Sequence, residues 1–296
     1  MTRKRISYSS NLILFQALWR RFESAIFFYQ KGRVIISRQE TLRLELFPAY
    51  FVPDIADRFN DNRRVHVVRY GRCNYRCEFC YFGKKPYDSA PEYTLESFEQ
   101  KIWEFLRYSK NFKFTGGEPT LNPYLADLMR IVKIYGAQTF LDTNGSNPQK
   151  VKALIDEGLV DIMGISLKGL DEDSASATAN ITNKRLAWEN VWKSVELGSK
   201  AENVKLIITY VACEGFFTET DLDKLAQLLK PYPDVTLKIN NCYLEDKIDF
   251  RRKGLDKTEI YSMVERFVQR YPEYKGRTVL FRDHDSCIDQ SKIALF

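Results

Sequence analysis

From residue 65 onward one pattern repeats along the chain: a short apolar strand-like run, a polar or glycine-rich loop, then a segment with helical apolar spacing. The strand-like runs are VHVVRY, NFKFTGG, AQTFLDTNG, DIMGISLKG, VKLIITYVAC and VTLKINNCY. Between them lie amphipathic segments such as LESFEQKIWEFLRYSK, YLADLMRIVKIYG, PQKVKALIDEG, RLAWENVWKSVELG and DLDKLAQLLK. Strands that alternate with helices must be joined by crossovers, and these give a parallel sheet with right-handed connections. The expected class is therefore α/β: a curved, partial (β/α)6 barrel of parallel strands, with a flat doubly wound sheet as second choice. In either architecture the loops after the strands form the active face.

Residues 1–64 stand apart from this alternation and read as a basic N-terminal extension, with a core domain and C-terminal segment over 65–296. Residues 11–30 carry a helical stripe of Leu12, Phe15, Leu18, Trp19, Phe22, Ala25, Ile26 and Tyr29, with Ser10 as N-cap and Gly32 as stop. Two β-like runs follow, at residues 34–37 and 42–47, and PAYFVPD reads as a turn-rich junction. The extension holds twelve Lys and Arg against six Asp and Glu, whereas the remaining residues hold 33 of each, so the whole net charge of +6 sits at one end. Such a surface suits nucleic acid, an anionic membrane or an acidic partner, and a solvated helix face is the plainer reading. No run reaches the roughly 18 apolar residues of a membrane span. The apolar stretch at residues 11–19 stops at Arg20-Arg21, and no small-residue cleavage site follows it. A cytoplasmic location with reduced cysteines is expected.

Six cysteines in such a chain point to metal ligation or chemistry more than to disulfides. Three of them, Cys73, Cys77 and Cys80, are crowded into RCNYRCEFCYFG as C-x3-C-x2-C, directly after the first strand of the array. A structural zinc site usually takes four ligands, often from two CxxC-type pairs, and no second pair exists here. A disulfide suits three cysteines poorly. An iron–sulfur cluster fits best: a [4Fe–4S] cube usually takes four thiolates, and three leave one iron free for a small molecule.

The cysteine spacing, with Phe79 just before the last cysteine, resembles the radical S-adenosylmethionine (radical SAM) family. A second motif carries the same resemblance: Thr115-Gly116-Gly117-Glu118-Pro119, at the end of the second strand, is similar to the family's GGE motif for the methionine part of SAM. The resemblance covers most of residues 65–245 and implies an oxidoreductase or lyase holding a [4Fe–4S] cluster on Cys73, Cys77 and Cys80. It implies that SAM chelates the free iron and is cleaved by one electron to a 5′-deoxyadenosyl radical, which takes hydrogen from a substrate. Gly116 and Gly117 would let backbone approach the ligand, and Glu118 would support the methionine ammonium. At the ends of the next two strands, LDTNG and ISLKG place Asn144, Ser166 and Lys168 where the family contacts SAM. Both pentads are similar to the glycyl-radical-enzyme activating branch, in which an acidic residue commonly stands where this chain has Ser166. Tyr70, Tyr75, Tyr81 and Phe82 surround the cysteine loop, with Tyr81 first choice for stacking on adenine.

The implied partners are an electron donor such as a flavodoxin or ferredoxin, and a substrate. A protein or peptide substrate is the first reading; a sugar, nucleotide or cofactor precursor, or nucleic acid held by the basic extension, is the alternative. An iron–sulfur redox sensor is the non-enzyme alternative. Cys213, Cys242 and Cys287 could hold a second cluster, or one could donate hydrogen, but buried apolar thiols are the plainer reading. His66 reads as structural; His284 lies between Asp283 and Asp285, which could tune it. Replacing any of Cys73, Cys77 or Cys80 by Ala is expected to abolish 5′-deoxyadenosine formation under strong reductant. A variant that still forms it removes that cysteine from the ligand set.

Overall fold

The computed structural model describes residues 42–51, 64–80, 90–241, 253–281 and 293–296. One sheet runs through them in the order β10-β9-β8-β7-β6-β5-β4-β2-β1-β3. Its centre is parallel: β2 (Arg64–Tyr70), β4 (Asn111–Gly116), β5 (Gln138–Thr143), β6 (Ile162–Leu167), β7 (Lys205–Ala212), β8 (Thr236–Asn241) and β9 (Thr278–Phe281) pair in that sequence. All six strands expected from the sequence are present. The seventh, β9, is the short β-like run TVLF, which the sequence also marks, and it pairs in parallel with β8. Antiparallel pieces finish the edges: β1 (Leu42–Phe51) lies on β2, β3 (Glu92–Tyr93) on β1, and β10 (Ile293–Leu295) on β9. The expected β run at residues 42–47 is part of β1, so the sheet begins at Leu42, within the N-terminal extension. The helix expected over residues 11–30 and the run at 34–37 lie outside the described residues.

Eight helices are described: α1 (Leu95–Phe105), α2 (Leu125–Ile134), α3 (Pro148–Asp156), α4 (Glu172–Ala179), α5 (Lys184–Ala187), α6 (Glu189–Lys200), α7 (Glu219–Leu229) and α8 (Lys257–Arg270). In α1, Thr94 and Ser97 form a reciprocal cap, and Phe98, Ile102 and Phe105 are buried at steps of four and three. Side chains of this kind contribute about 1.5–3 kcal/mol each when fully buried. The segment around Trp188 reads as one continuous helix in sequence but breaks there into α5 and α6, with Trp188 at φ −126°, ψ −73°. Helix α4, EDSASATA, has no apolar stripe to announce it. It is held by the Asp171–Ser174 capping box and ended by Asn180 in the left-handed region, at φ 50°.

Strand residues alternate between two different environments. Val68, Phe112, Phe114, Leu141, Ile165, Ile208 and Leu237 point into the main core with the helices. The residues between them point to the opposite, inner face. At the start of the strands that face is apolar, with Val65, Phe140, Ile162 and Ile207 packed together. His66 lies on the helix side, fully buried, 4.8 Å from the Phe105 and Phe112 rings, with Nε2 3.2 Å from the Ser109 carbonyl. It is a packing residue.

On the outer surface, Glu219 of α7 bonds Arg266 and Arg270 of α8 at 2.7 and 2.6 Å. These guanidinium groups hold its carboxyl down at about 2, against an ordinary 4.5. A depressed carboxyl stabilises the fold above its unfolded value and loses that contribution as the pH falls toward its folded value. Glu219→Gln is therefore expected to lower the melting temperature at pH 7 by no more than about 3 °C, as exposed pairs do. The gap should narrow as the pH falls below about 4.5 and close only at about pH 2 and below; a gap that persists there would assign the effect to packing.

Candidate functional site

Every described residue singled out by the two motifs lies at the C-terminal end of β2, β4, β5 or β6. The cysteine loop leaves β2 and the Gly-Gly-Glu segment leaves β4. Two backbone bonds join them: Gly117 N–H donates to the Tyr70 carbonyl at 2.6 Å and Glu118 N–H to the Arg72 carbonyl at 2.7 Å. Gly116 adopts φ +119° and a Cβ there would run into the Tyr70 backbone; a Cβ on Gly117 would run into the Arg72 carbonyl. The space left by both missing side chains is thus filled by the cysteine loop. From the other side α4 packs on that loop. Arg76 N–H donates to Ala179 O at 2.8 Å, and the Tyr75 hydroxyl donates to Leu186 O at 2.6 Å.

Glu118 is fully buried. Its Oε1 accepts from Thr120 N–H (3.0 Å), Thr120 Oγ1 (2.5 Å) and Thr143 Oγ1 (2.6 Å), and its Oε2 from Asn144 N–H (2.6 Å). Burial pushes the carboxyl above its ordinary range, while these donors pull it back down. The side chain therefore ties the β4 loop to the end of β5. Asn144 continues the tie: its Nδ2 donates to Asn74 Oδ1 at 2.9 Å and lies 4.0 Å from Cys73 Sγ. Asn74 in turn donates to Ser146 Oγ at 2.9 Å.

On the β6 side, Lys168 Nζ donates to Ser166 Oγ at 2.7 Å and lies 5.4 Å from the centre of the Phe79 ring. Burial pushes the Cys73 thiol up to about 11 and raises Cys77 as well; the Lys168 cation acts in the opposite sense on both. Cys73 Sγ also accepts the Tyr75 N–H at 3.3 Å. Phe79, Leu167, Lys168, Tyr210, Val211 and Cys213 line a pocket beside the loop. Cys213 is buried. Tyr81, Phe82, Cys242, His284 and Cys287 lie outside the described residues.

Residues 67–229 match the Radical SAM superfamily. The chain belongs to that superfamily. Over 237 residues it is 32% identical to a GTP 3′,8-cyclase of Aliarcobacter butzleri, covering 76% of this chain and 67% of that protein. It is also 32% identical to a putative glycyl-radical enzyme activating enzyme of Methanocaldococcus jannaschii, over 42% of this chain and 46% of the relative. The chain thus spans between about half and two thirds of these relatives. The fold resembles Streptococcus suis SuiB bound to S-adenosylmethionine, at TM-score 0.57 and 15% identity, covering 73% of this chain and 49% of SuiB. A radical SAM enzyme uses a [4Fe–4S] cluster and SAM, and needs an electron donor and a substrate. No helix among the described residues is long and apolar enough to cross a membrane.

The three cysteines fit the radical SAM cluster. Among the described residues no three His, Cys, Asp or Glu side chains converge on a single metal ion. A cube asks for something else, since each of its three thiolates binds a different iron. The N–H···S bond on Cys73 and the charge of Lys168 favour the thiolate form, against the burial that disfavours it.

Sequence reasoning passed over a further set of residues. Lys113, Lys238 and Asn240 occupy inner-face positions of β4 and β8. Lys113 Nζ bonds Asp142 Oδ2 at 2.9 Å, and Thr115 Oγ1 donates to the same oxygen at 3.0 Å. Burial opposes the charge on Asp142, yet Lys113, Lys238 and Thr115 together hold its carboxyl below the ordinary range. Lys238 lies three strands from Asp142, about 14 Å away across a flat sheet, and its influence reflects the curl of the sheet around its inner face. A signal was available: parallel strands buried on both faces are apolar throughout, so the lysines in NFKFTG and TLKINN are anomalies.

Glu118→Ala leaves the Asn144 amide and two threonine hydroxyls without their acceptor. It is expected to cost about 2–3 kcal/mol in denaturant unfolding of the iron-free chain. A variant as stable as the parent would show that Glu118 does not carry the β4–β5 tie.

Proposed function

We propose that this radical SAM enzyme acts on a small molecule rather than on a protein or peptide. The observation that carries this reading is the extent of the similarity. Likeness to the GTP 3′,8-cyclase runs over 76% of the chain, against 42% for the activating enzyme. The Ser166 position supports it, because the acidic residue of the activating branch is absent and the Ser166 hydroxyl accepts from Lys168 instead.

Cys73, Cys77 and Cys80 would hold the cluster, and the strand ends carrying Gly116, Gly117, Glu118, Asn144, Ser166 and Lys168 would frame SAM. Together the bound cofactors supply one-electron cleavage of SAM and a strong hydrogen-atom abstractor. The chain's own contribution is placement. Backbone bonds from Gly117 and Glu118 fix the cysteine loop, and Glu118 positions Asn144 against Asn74 and Cys73. Lys168 brings a cation toward the thiolates and toward any carboxylate bound at the β6 end. The pocket lined by Phe79, Leu167 and Tyr210 as well as Lys168 would suit a flat ring system such as adenine. An acidic flavodoxin or ferredoxin would supply the electron. The basic extension falls largely outside the described residues, and no relative named above argues for a nucleic-acid substrate.

The test is 5′-deoxyadenosine formation by the anaerobically reconstituted full chain, with nucleotides and with peptides offered in parallel. Severalfold stimulation by a nucleotide, with its hydrogen appearing in 5′-deoxyadenosine when the nucleotide is deuterated, is the expected result. Stimulation by peptides alone would overturn the reading.

A further inference from the structure

The turn after β5 reaches the cysteine loop through one side chain, Asn144, whose orientation is fixed at both ends of its amide. The residue is 6% exposed. Its Oδ1 accepts the Ser146 N–H at 2.9 Å, which settles which end of the amide is oxygen. Its Nδ2 carries two hydrogens. One goes to Asn74 Oδ1 at 2.9 Å. Asn74 is held in turn, its own amide donating to Ser146 Oγ at 2.9 Å. The second hydrogen is left for Cys73 Sγ, 4.0 Å from Nδ2.

The backbone beneath Asn144 is clamped as firmly. Its N–H donates to Glu118 Oε2 at 2.6 Å. Gly145 follows at φ +74°, and its N–H goes to Thr143 Oγ1 at 3.1 Å. From α6, Ser194 Oγ donates to the Gly145 carbonyl at 2.7 Å, and Asn190 Nδ2 to the Ser146 carbonyl at 2.9 Å. Swinging the Asn144 amide away from the sulfur would break its bonds to Asn74 and Ser146. Cys73 Sγ already accepts the Tyr75 N–H at 3.3 Å, so Asn144 supplies a second donor, from a different loop. A cysteine that binds iron does so as a thiolate, and a charged acceptor draws a donor more strongly than a neutral thiol does. Reducing a bound cluster adds one electron, delivered by the donor protein, and with it one negative charge shared with the thiolates. A hydrogen bond to the ligand sulfur stabilises that added charge and so raises the reduction potential.

We propose that the Asn144 side chain donates a hydrogen bond to the Cys73 thiolate and thereby raises the reduction potential of the cluster, easing its reduction by the electron donor. This role is distinct from a contact with SAM, and it rests on Cys73 being a cluster ligand, as proposed above. Glu118 is then a positioning residue for the same bond, through its hold on the Asn144 N–H.

The experiment is a redox titration of the anaerobically reconstituted full chain, followed by EPR of the reduced cluster. SAM is left out, so that a lost SAM contact cannot move the result. Asn144→Leu keeps a similar shape and removes the amide. It is expected to hold the parent's iron content and to lower the equilibrium constant for one-electron reduction by about fivefold, or about 40 mV, the size of one lost hydrogen bond. An unchanged potential with the cluster intact overturns the proposal; if SAM affinity falls in the same variant, Asn144 serves SAM instead. Should Asn144→Leu take up no cluster, Asn74→Asp keeps an acceptor for Asn144 and removes the other asparagine amide from the loop. With ¹⁵N confined to asparagine side chains, pulsed EPR of its reduced cluster is expected to show a nitrogen coupling, and the absence of one overturns the proposal. If Cys73→Ala keeps the parent's iron content and cluster spectrum, the ligand assignment fails and the proposal with it.

Discussion

Two backbone hydrogen bonds, from Gly117 and Glu118 to the carbonyls of Tyr70 and Arg72, hold the site together. Each contributes on the order of 1 kcal/mol, but the geometric effect is much larger. They extend the β2–β4 pairing beyond the strands, so the cysteine loop cannot move independently of the Gly-Gly-Glu segment. That closeness leaves no room for a Cβ at either glycine. With the segment fixed, the Glu118 side chain turns beneath the end of β5 and takes the Asn144 amide. Asn144 then reaches back to Asn74 and to Cys73. The circuit closes on the loop where it started.

The inner face is layered. Apolar side chains pack the strand starts, charged and polar ones occupy the middle, and the cysteine loop and Lys168 stand at the rim. Buried charges weaken a fold unless they are paired. Here Asp142 meets Lys113 and Thr115, and Glu45 meets Arg69, while the helix-side faces of the same strands supply the main apolar core. The arrangement keeps paired charges in a region sheltered from water, where their interactions are stronger than they would be in solvent.

Division of labour along the sheet explains why the superfamily is easy to read and the substrate is not. The three cysteines of the loop, the glycine pair and the strand-end polar residues all come from the segments following β2 through β6, in short contiguous motifs. Lys238 and Asn240 come from β8, with no motif around them, and a shared fold leaves the substrate open. Even within the motifs the physical role was only partly visible. The structure adds a role for the glycines that the motif did not announce: they make room for the cysteine loop. Glu118 likewise has a structural role that sequence left unseen, in four hydrogen bonds within the chain.

Local pattern was sufficient for the six strands and for α1, α2, α3 and α7, because period-2 and period-3.6 burial are written into consecutive residues. It was insufficient for α4, whose Ala and Ser side chains carry no stripe, and for the break at Trp188. The sequence by itself determined an α/β chain with a three-cysteine loop at the C-terminal edge of a parallel sheet. Only the tertiary structure decided which inward side chains share the inner face. The reason is physical: whether Asp142 feels Lys238 depends on how far the sheet curls over three intervening strand spacings, and that curl arises from the packing of all the strands and helices together.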